Sequence, residues 1–267
     1  MQITIINDCC DQNAKLRQVT RLGSLFQNSS VNCFSVKSEI EASGFLVDAI
    51  DSFEGREGII LVNVAPRNGK AKKWENGTPF GFFKYKKTLI ISSLDGNVLS
   101  LAKKLNLLKE IYIFDIQKVI KSIDKSELNI DEKNRITNSQ FRSFDFLPKI
   151  AYWLMHNVKL PYNKYDISKI QNIKGKIWFI DNFGNIKTTY LKNEIVTEKN
   201  GYAKFNINNS SLKFKLYNHL KDLPDNETGL VVGSSGIGEK RFIEIISQGA
   251  SATKKLKADF SSKISTS

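Results

Sequence analysis

Gly58-Ile59-Ile60-Leu61-Val62-Asn63-Val64 is the stretch on which the fold turns. It is a nearly continuous apolar run, with no polar alternation that would leave one face in water. This short, it reads as a strand buried on both faces, the habit of a sheet covered by helices. Thr88–Ser92 and Glu110–Phe114 repeat the signature. Helices are expected at Leu16–Phe26, at Glu39–Phe53, where Ile40, Gly44, Leu46, Val47 and Ile50 fall at helical spacing, and at Asn97–Leu105. With strands at Gln2–Ile6 and Val31–Val36 the order is β-α-β-α-β, which predicts an α/β domain with a mostly parallel sheet. Ligands of such sheets sit beyond the carboxyl ends of the strands. Asp8, Ala65-Pro66-Arg67-Asn68-Gly69 and Asp95-Gly96 all fall there.

Downstream the character of the chain changes. After Ser122 a polar stretch, Asp124–Asn138, precedes an apolar helix around Phe146–Met155. Lys159–Asn172 carries Pro161 and little periodicity, and reads as a boundary between an α/β domain over 1–160 and a second domain over 170–267. That second part holds short alternating segments at Tyr202–Ile207, Leu212–Leu216, Gly229–Val232 and Arg241–Ile246. They predict a smaller all-β, barrel-like domain. The basic tail from Lys254, ending in Ser and Thr, is expected to fray.

Composition narrows the partners. The 40 Lys+Arg against 27 Asp+Glu give a net charge of +13, which favours anions. The cations are scattered, however, so a nucleic-acid-binding role ranks last. No apolar run is long enough to cross a bilayer, and the first residues enter a strand without a signal peptide, so a cytoplasmic protein with no membrane partner is expected. Cys9, Cys10 and Cys33 have no metal-ligand spacing, and His156 and His219 are the only histidines, so no metal site is expected.

Gly175–Tyr190 reads as strand, tight turn and strand, with Asn182-Phe183-Gly184-Asn185 at the corner. A corner needs Gly184 for positive φ, but it has no need of an aromatic ring between polar groups. Phe183 beside Asp181 and Asn185 suits a purine with hydrogen-bonding edges; an ordinary β-turn is the simpler alternative. Two other motifs carry less. Gly233–Lys240 has phosphate-loop glycine spacing, but Glu239 replaces the lysine and a hairpin is expected there. Arg67–Trp74 is basic enough to grip a nucleic-acid backbone, yet reads better as a solvated loop.

In order and spacing these blocks resemble the S-adenosylmethionine hydroxide adenosyltransferases, relatives of the fluorinating and chlorinating enzymes that act on the same substrate. Asp181-Asn-Phe-Gly-Asn185 followed by Thr188 is similar to the family's Asp-x-Phe-Gly-Asn-x-x-Thr. Asp8 stands where the family's ribose-binding aspartate does. Ile60–Gly69 resembles its Val-Val-Asp-Pro-Gly-Val-Gly run, keeping Pro66 and Gly69. Ser93-Leu-Asp-Gly96 resembles its Pro-Asp-Asn-Gly, and Gln140–Asp145 with Pro148 and Ala151 its Thr-Phe-His-Gly-Arg-Asp block. Glu244–Ala252 resembles the closing strand with its Gly-x-Ala turn.

The resemblance implies an α/β domain and a β-barrel domain in a homotrimer, with the ligand between neighbouring subunits. S-adenosylmethionine would be substrate or ligand, with no further cofactor. Carried over, Asp8 would hold the ribose hydroxyls, Phe183 would stack on adenine and Asn185 would read its edge. Asp181 would meet the methionine ammonium, and Ser234 or Ser235 the methionine end. The family's hydrolases set an Asp, an Arg and a His around the attacking water. Here the Asp position is Ala65 and the His position Arg142, while the Arg position falls in a loop with Lys70, Lys72 and Lys73. Asn68 aligns with the halide-binding Thr of the halogenating branch. The expected catalytic set is therefore Arg142, Lys70 and Asn68, in a pocket turned positive and suited to an anion. Arg142 in a structural ion pair with Asp145 or Asp95 is the competing reading. Two functions follow: cleavage of S-adenosylmethionine to adenosine and methionine, or binding of an adenosine compound without turnover.

Overall fold

The computed structural model describes residues 1–64, 77–139, 141–208 and 210–266. The chain divides into two compact units, Met1–Gln171 and Asn172–Ser267.

The first unit opens with β1 (Gln2–Asn7), α1 (Gln12–Leu25), β2 (Ser30–Ser35), α2 (Glu39–Phe53) and β3 (Gly58–Asn63). It continues through β4 (Phe80–Tyr85), β5 (Thr88–Ser93), α3 (Ser100–Lys104), β6 (Tyr112–Ile113) and α4 (Ile116–Ser122). Helices α5 (Ile130–Asn138), α6 (Arg142–Asp145) and α7 (Leu147–Met155) and strand β7 (Asn163–Lys164) complete it. The sheet runs β2-β1-β3-β5-β4-β6-β7. Helix starts follow local chemistry. The Asp11 carboxylate accepts from the Asn13 and Ala14 amides at the head of α1, and Ser38 caps α2.

Gly58–Asn63 does form an interior strand, β3, set between β1 and β5. Ile59 and Leu61 of β3 share one core with Ile3 and Ile5 of β1, Leu89 and Ile91 of β5, Leu22 of α1 and Ile150 of α7. Ile60 and Val62 point the other way and are fully buried on the side where α2 packs on β1 and β3. Burial on both faces is what the apolar run required.

The expectation of a mostly parallel sheet holds in part. The pairings among β2, β1, β3 and β5 are parallel, whereas β4, β6 and β7 join through antiparallel pairings, with β4 and β7 running against the rest. The cause is a tight hairpin. Tyr85 pairs with Thr88, so Lys86-Lys87 is a two-residue turn with Lys86 at φ +52°. Neither residue is a usual choice at positive φ, which is why the hairpin is silent in the sequence. Asp124–Asn138, read as a polar stretch, contains α5. Its first turn is held by a reciprocal capping box between Asn129 and Glu132.

The second unit comprises β8 (Ile177–Ile180), β9 (Ile186–Leu191), β10 (Tyr202–Ile207), β11 (Ser210–Tyr217), β12 (Thr228–Ile237), β13 (Lys240–Ser247), α8 (Ala252–Leu256) and β14 (Ile264–Thr266). Its seven strands run β14-β10-β11-β12-β13-β9-β8, with β11–β12 the one parallel pairing among the described residues. The sheet curls toward a barrel around Ile186, Phe205, Leu230, Ile243 and Ile245. The segment that leads into β8 approaches β14, where a Cβ on Gly175 would stand 2.5 Å from the Ile264 carbonyl oxygen. The tail expected to fray is ordered instead. Ile264 pairs with Ile207 and is buried, so β14 belongs to the core. Gly233–Ile237 is the end of β12 and turns into β13 as a hairpin.

Asp145 ties three helices of the first unit together. Its carboxylate accepts from Arg21 of α1 at 3.0 Å, from Arg135 of α5, and from Ser139 Oγ at 2.6 Å. Burial works to raise its pKa, but the Ser139 and Arg21 hydrogen bonds and the Arg135 charge outweigh burial and hold it below the ordinary 3.8. A carboxylate with a depressed folded pKa stabilises the fold above its unfolded value and loses that contribution as pH falls through the folded one. Asp145→Asn should therefore cost about 1–2 kcal/mol at neutral pH, because the buried carboxylate's charge-assisted hydrogen bonds to the partly exposed Arg21 and Arg135 are weakened. In urea denaturation from pH 7 to pH 3, the wild type should lose stability faster than the variant. Parallel curves would contradict this role.

Candidate functional site

Four neighbouring strands of the first unit end in polar residues in one row. Ser35, Asn7 and Asn63 pair across β2, β1 and β3, and Ser93 closes β5 beside them. Asn7 is fully buried. Its Oδ1 accepts from Asn63 Nδ2 at 2.9 Å and from the Cys9 amide at 3.0 Å. The Val64 amide donates to Ser93 Oγ at 3.2 Å. Asn7 Nδ2 has no hydrogen-bond partner among the described residues, a costly state for a buried donor. This row lies where α/β sheets bind ligands. Apart from Ser93, which opens the Ser93-Leu-Asp-Gly96 block, this row was not singled out from the sequence, because its alignment depends on the register of four strands.

Asp8 follows directly. Its amide donates to the Asn63 carbonyl at 3.2 Å, which fixes the half-buried residue at the end of the row. Beside β5, a cavity of about 150 Å³ is lined by Leu94, Asp95, Gly96, Leu99, Tyr165 and Lys169. It is smaller than the few hundred Å³ that a nucleoside-sized ligand needs.

Arg142, at the start of α6, is half-buried and points toward Gly77, where an added Cβ would stand 3.1 Å from Nη1. The structural ion pair is not formed. Asp145 is taken by Arg21, Arg135 and Ser139, and among the described residues Arg142 has no salt bridge while its Nε lacks a hydrogen-bond partner. Burial lowers its pKa from the ordinary value, yet a guanidinium stays protonated in proteins. It can hold an anion or polarise a group, but it cannot accept a proton. Ala65, Asn68 and Lys70, with Arg67, Lys72 and Lys73, lie outside the described residues.

In the second unit the Asp181–Asn185 corner is built around one carboxylate. Asp181 Oδ1 accepts from the Phe183 and Asn185 amides, both at 2.9 Å, and Oδ2 accepts from Asn185 Nδ2 at 2.9 Å. Gly184 sits at φ +81°, and a Cβ there would meet Ser251 Oγ at 2.1 Å, so no other residue fits. The Thr253 amide donates to the Gly184 carbonyl at 3.1 Å and backs the turn from α8. Thr188 is fully buried and donates to the Ile243 carbonyl at 2.7 Å, locking β9 to β13. The consequence is a rigid corner with Phe183 held out at 78% exposure. The carboxylate can only accept, so the Asn185 side chain meets it through its amide nitrogen, which leaves the Asn185 carbonyl oxygen uncommitted to the carboxylate. Asp181 spends its oxygens on the turn itself, a structural task that the sequence reading did not give it.

Ser235 belongs to a buried polar cluster. Its hydroxyl accepts from Lys187 Nζ at 2.7 Å. The same ammonium lies 3.3 Å from Glu244 Oε1 and 5.5 Å from the centre of the Trp178 ring. Burial raises the Glu244 pKa, opposed by Lys187. Gly233 makes room for this carboxylate, since a Cβ there would stand 2.2 Å from Oε1. The sequence signal was present in Phe242-Ile-Glu-Ile-Ile246, where a single carboxylate interrupts an apolar strand.

The fold has close structural counterparts. An uncharacterized conserved protein from Thermotoga maritima superposes with a TM-score of 0.71 at 13% identity, covering 99% of each chain. A conserved hypothetical protein from Thermus thermophilus gives 0.61 at 11% identity, covering 100% of this chain and 99% of that one. The likeness is one of fold. No family model and no curated protein matches the sequence. Among the described residues no helix is long and apolar enough to cross a membrane, and no group of three or more His, Cys, Asp or Glu could hold a metal ion.

Asp181 makes the corner testable apart from any ligand. Asp181→Ala removes the acceptor for three donors and should cost about 1–2 kcal/mol in the unfolding of the second unit, read by urea denaturation. Asp181→Asn, which keeps one acceptor oxygen, should fall between. A neutral Asp181→Ala would show that the turn holds without its carboxylate.

Proposed function

We propose that this chain binds an adenosine compound, with the adenine stacked on Phe183 and its edge read by Asn185. S-adenosylmethionine is the ligand class that the resemblance supplies, and its cleavage by water or hydroxide to adenosine and methionine is the reaction to test. One observation carries the reading. A phenyl ring on a mobile loop could fold away, but Phe183 is held out on a corner fixed by hydrogen bonds, a strand pairing and a glycine that admits no side chain. Leaving such a ring in water forgoes about 1.5–3 kcal/mol of burial. A stacking partner recovers that energy, and a purine supplies the flat face.

Asp8 is the ribose-binding candidate in this proposal, and a carboxylate suits a pair of hydroxyl donors. Ser235 with Lys187 would serve the amino-acid end, whose carboxylate an ammonium and a hydroxyl can receive. Homotrimeric assembly is the remaining part of what the resemblance implies.

A second reading, binding without turnover, is favoured by Arg142. A permanent cation stands where the resemblance calls for a histidine, and a cation cannot take a proton from water. Displacement at the carbon bearing a sulfonium still needs mainly an aligned, desolvated nucleophile, because the thioether leaves readily. The two readings share the adenine platform and differ in product release.

The test is calorimetric titration with adenosine and S-adenosylmethionine, beside time courses of adenosine and methionine release and light scattering of the same preparations. Phe183→Ala should weaken binding by about tenfold to a hundredfold, the usual worth of one stacked base, at unchanged stability. Release abolished by Asn185→Ala marks the enzyme, and binding without release marks the binding protein. Scattering should give three times the 30.3 kDa chain mass. Wild-type protein that binds neither compound contradicts the proposal.

A further inference from the structure

The first unit brings together two cysteines that the sequence separates. Cys10 Sγ and Cys33 Sγ lie 2.7 Å apart. That is far closer than unbonded sulfur atoms rest and within a small movement of the roughly 2.05 Å disulfide bond. Two thiolates sharing a tetrahedral metal, each about 2.3 Å from it, stand farther apart than this, so the spacing suits a bond better than a shared ion.

The approach is imposed by the backbone. Cys33 lies on β2 and faces the core that holds Leu22, Phe26 and Ile5. Cys10 sits in the loop from β1 to α1, which folds back over that face. The loop is fixed on both sides of it. The Cys9 amide donates to Asn7 Oδ1 at 3.0 Å, the Cys9 carbonyl accepts from Gln18 Nε2 at 3.3 Å, and Asp11 caps α1. The sulfurs are therefore held face to face by the strand, the loop and the helix cap together. Access is unequal: Cys33 is 9% exposed, while Cys10 is half-buried and reaches the surface. Burial, with Cys10 beside it, pushes the Cys33 thiol up to about 12, so Cys10 is the sulfur that meets an oxidant first.

We infer that Cys10 and Cys33 form a dithiol site that reacts with a low-molecular-weight disulfide of the glutathione class and closes an intrachain disulfide. In the first step the Cys10 thiolate attacks one sulfur of the oxidant, forming a mixed disulfide and releasing one thiolate. In the second, Cys33 sulfur displaces the remaining small thiol from Cys10, and the Cys33 proton leaves with it. The oxidant is reduced to two thiols, and the two cysteines are oxidised to one disulfide. The bond ties the loop that carries Asp8 to β2. In a reducing compartment such a pair is a redox-responsive site and not a structural staple.

The test uses the whole chain in buffers of reduced and oxidised glutathione at graded ratios, quenched with acid, alkylated after unfolding and mapped by peptide mass. The expected product is a Cys10–Cys33-linked species lighter by two hydrogens, with Cys9 still alkylated, reversed by dithiothreitol and retained in Cys9→Ser. Cys33→Ser should stop at a mixed disulfide on Cys10, and Cys10→Ser should leave Cys33 unmodified in the folded protein. Three alkylatable thiols in the most oxidising buffer, a link through Cys9, or a wild-type product that stops at the mixed disulfide would each overturn the inference.

Discussion

Strands buried on both faces can place polar side chains only where they run out, and this constraint organises the first unit. The β1, β3 and β5 interiors are largely apolar, Thr4 excepted, so hydrogen-bonding residues collect at their carboxyl ends, where Asn63 donates to Asn7 and Ser93 accepts from the Val64 amide. Asp8 and the Asp8–Asp11 loop are set by the same contacts, since the Asp8 amide bonds to Asn63 and the Cys9 amide to Asn7. The close approach of Cys10 to Cys33 depends on that loop in turn. One row of amides thus fixes both the candidate ribose carboxylate and the thiol pair.

The second unit answers a different constraint with the same economy. Its corner must reverse the chain between β8 and β9, and Asp181 does so by collecting three donors onto one carboxylate. Rigidity there is what gives Phe183 and Asn185 a defined direction, and preorganisation of that kind lowers the entropy lost when a ligand docks. Beneath the corner, Lys187, Ser235 and Glu244 place charge in a buried setting, where a lone ion would be costly and a paired one is tolerable.

How much was legible in the sequence follows from how local each feature is. Gly58–Val64 could be read because seven residues carry their own burial pattern, and the Asp181–Asn185 corner because its hydrogen bonds span two to four residues. The β4–β5 hairpin could not, since Lys86-Lys87 lacks the Gly or Asn that normally marks such a turn. Strand β14 was mistaken for a frayed tail because its partner, β10, lies far upstream and its polar outward residues hide one buried isoleucine. The polar row at the strand ends needed the strand register, and the Cys10–Cys33 approach needed the loop to fold back. For Arg142 the sequence offered an ion pair with Asp145, and only the helix packing shows that Arg21 and Arg135 occupy that carboxylate.

The central claim is that the Asp181–Asn185 corner is an adenine platform, and the most direct test is a crystal structure of the protein grown with adenosine. The expected result is a purine ring parallel to the Phe183 ring, its exocyclic amine on Asn185 Oδ1, and the corner itself unmoved. Adenosine bound elsewhere with Phe183 left in solvent, or no bound nucleoside at saturating concentration, would contradict it.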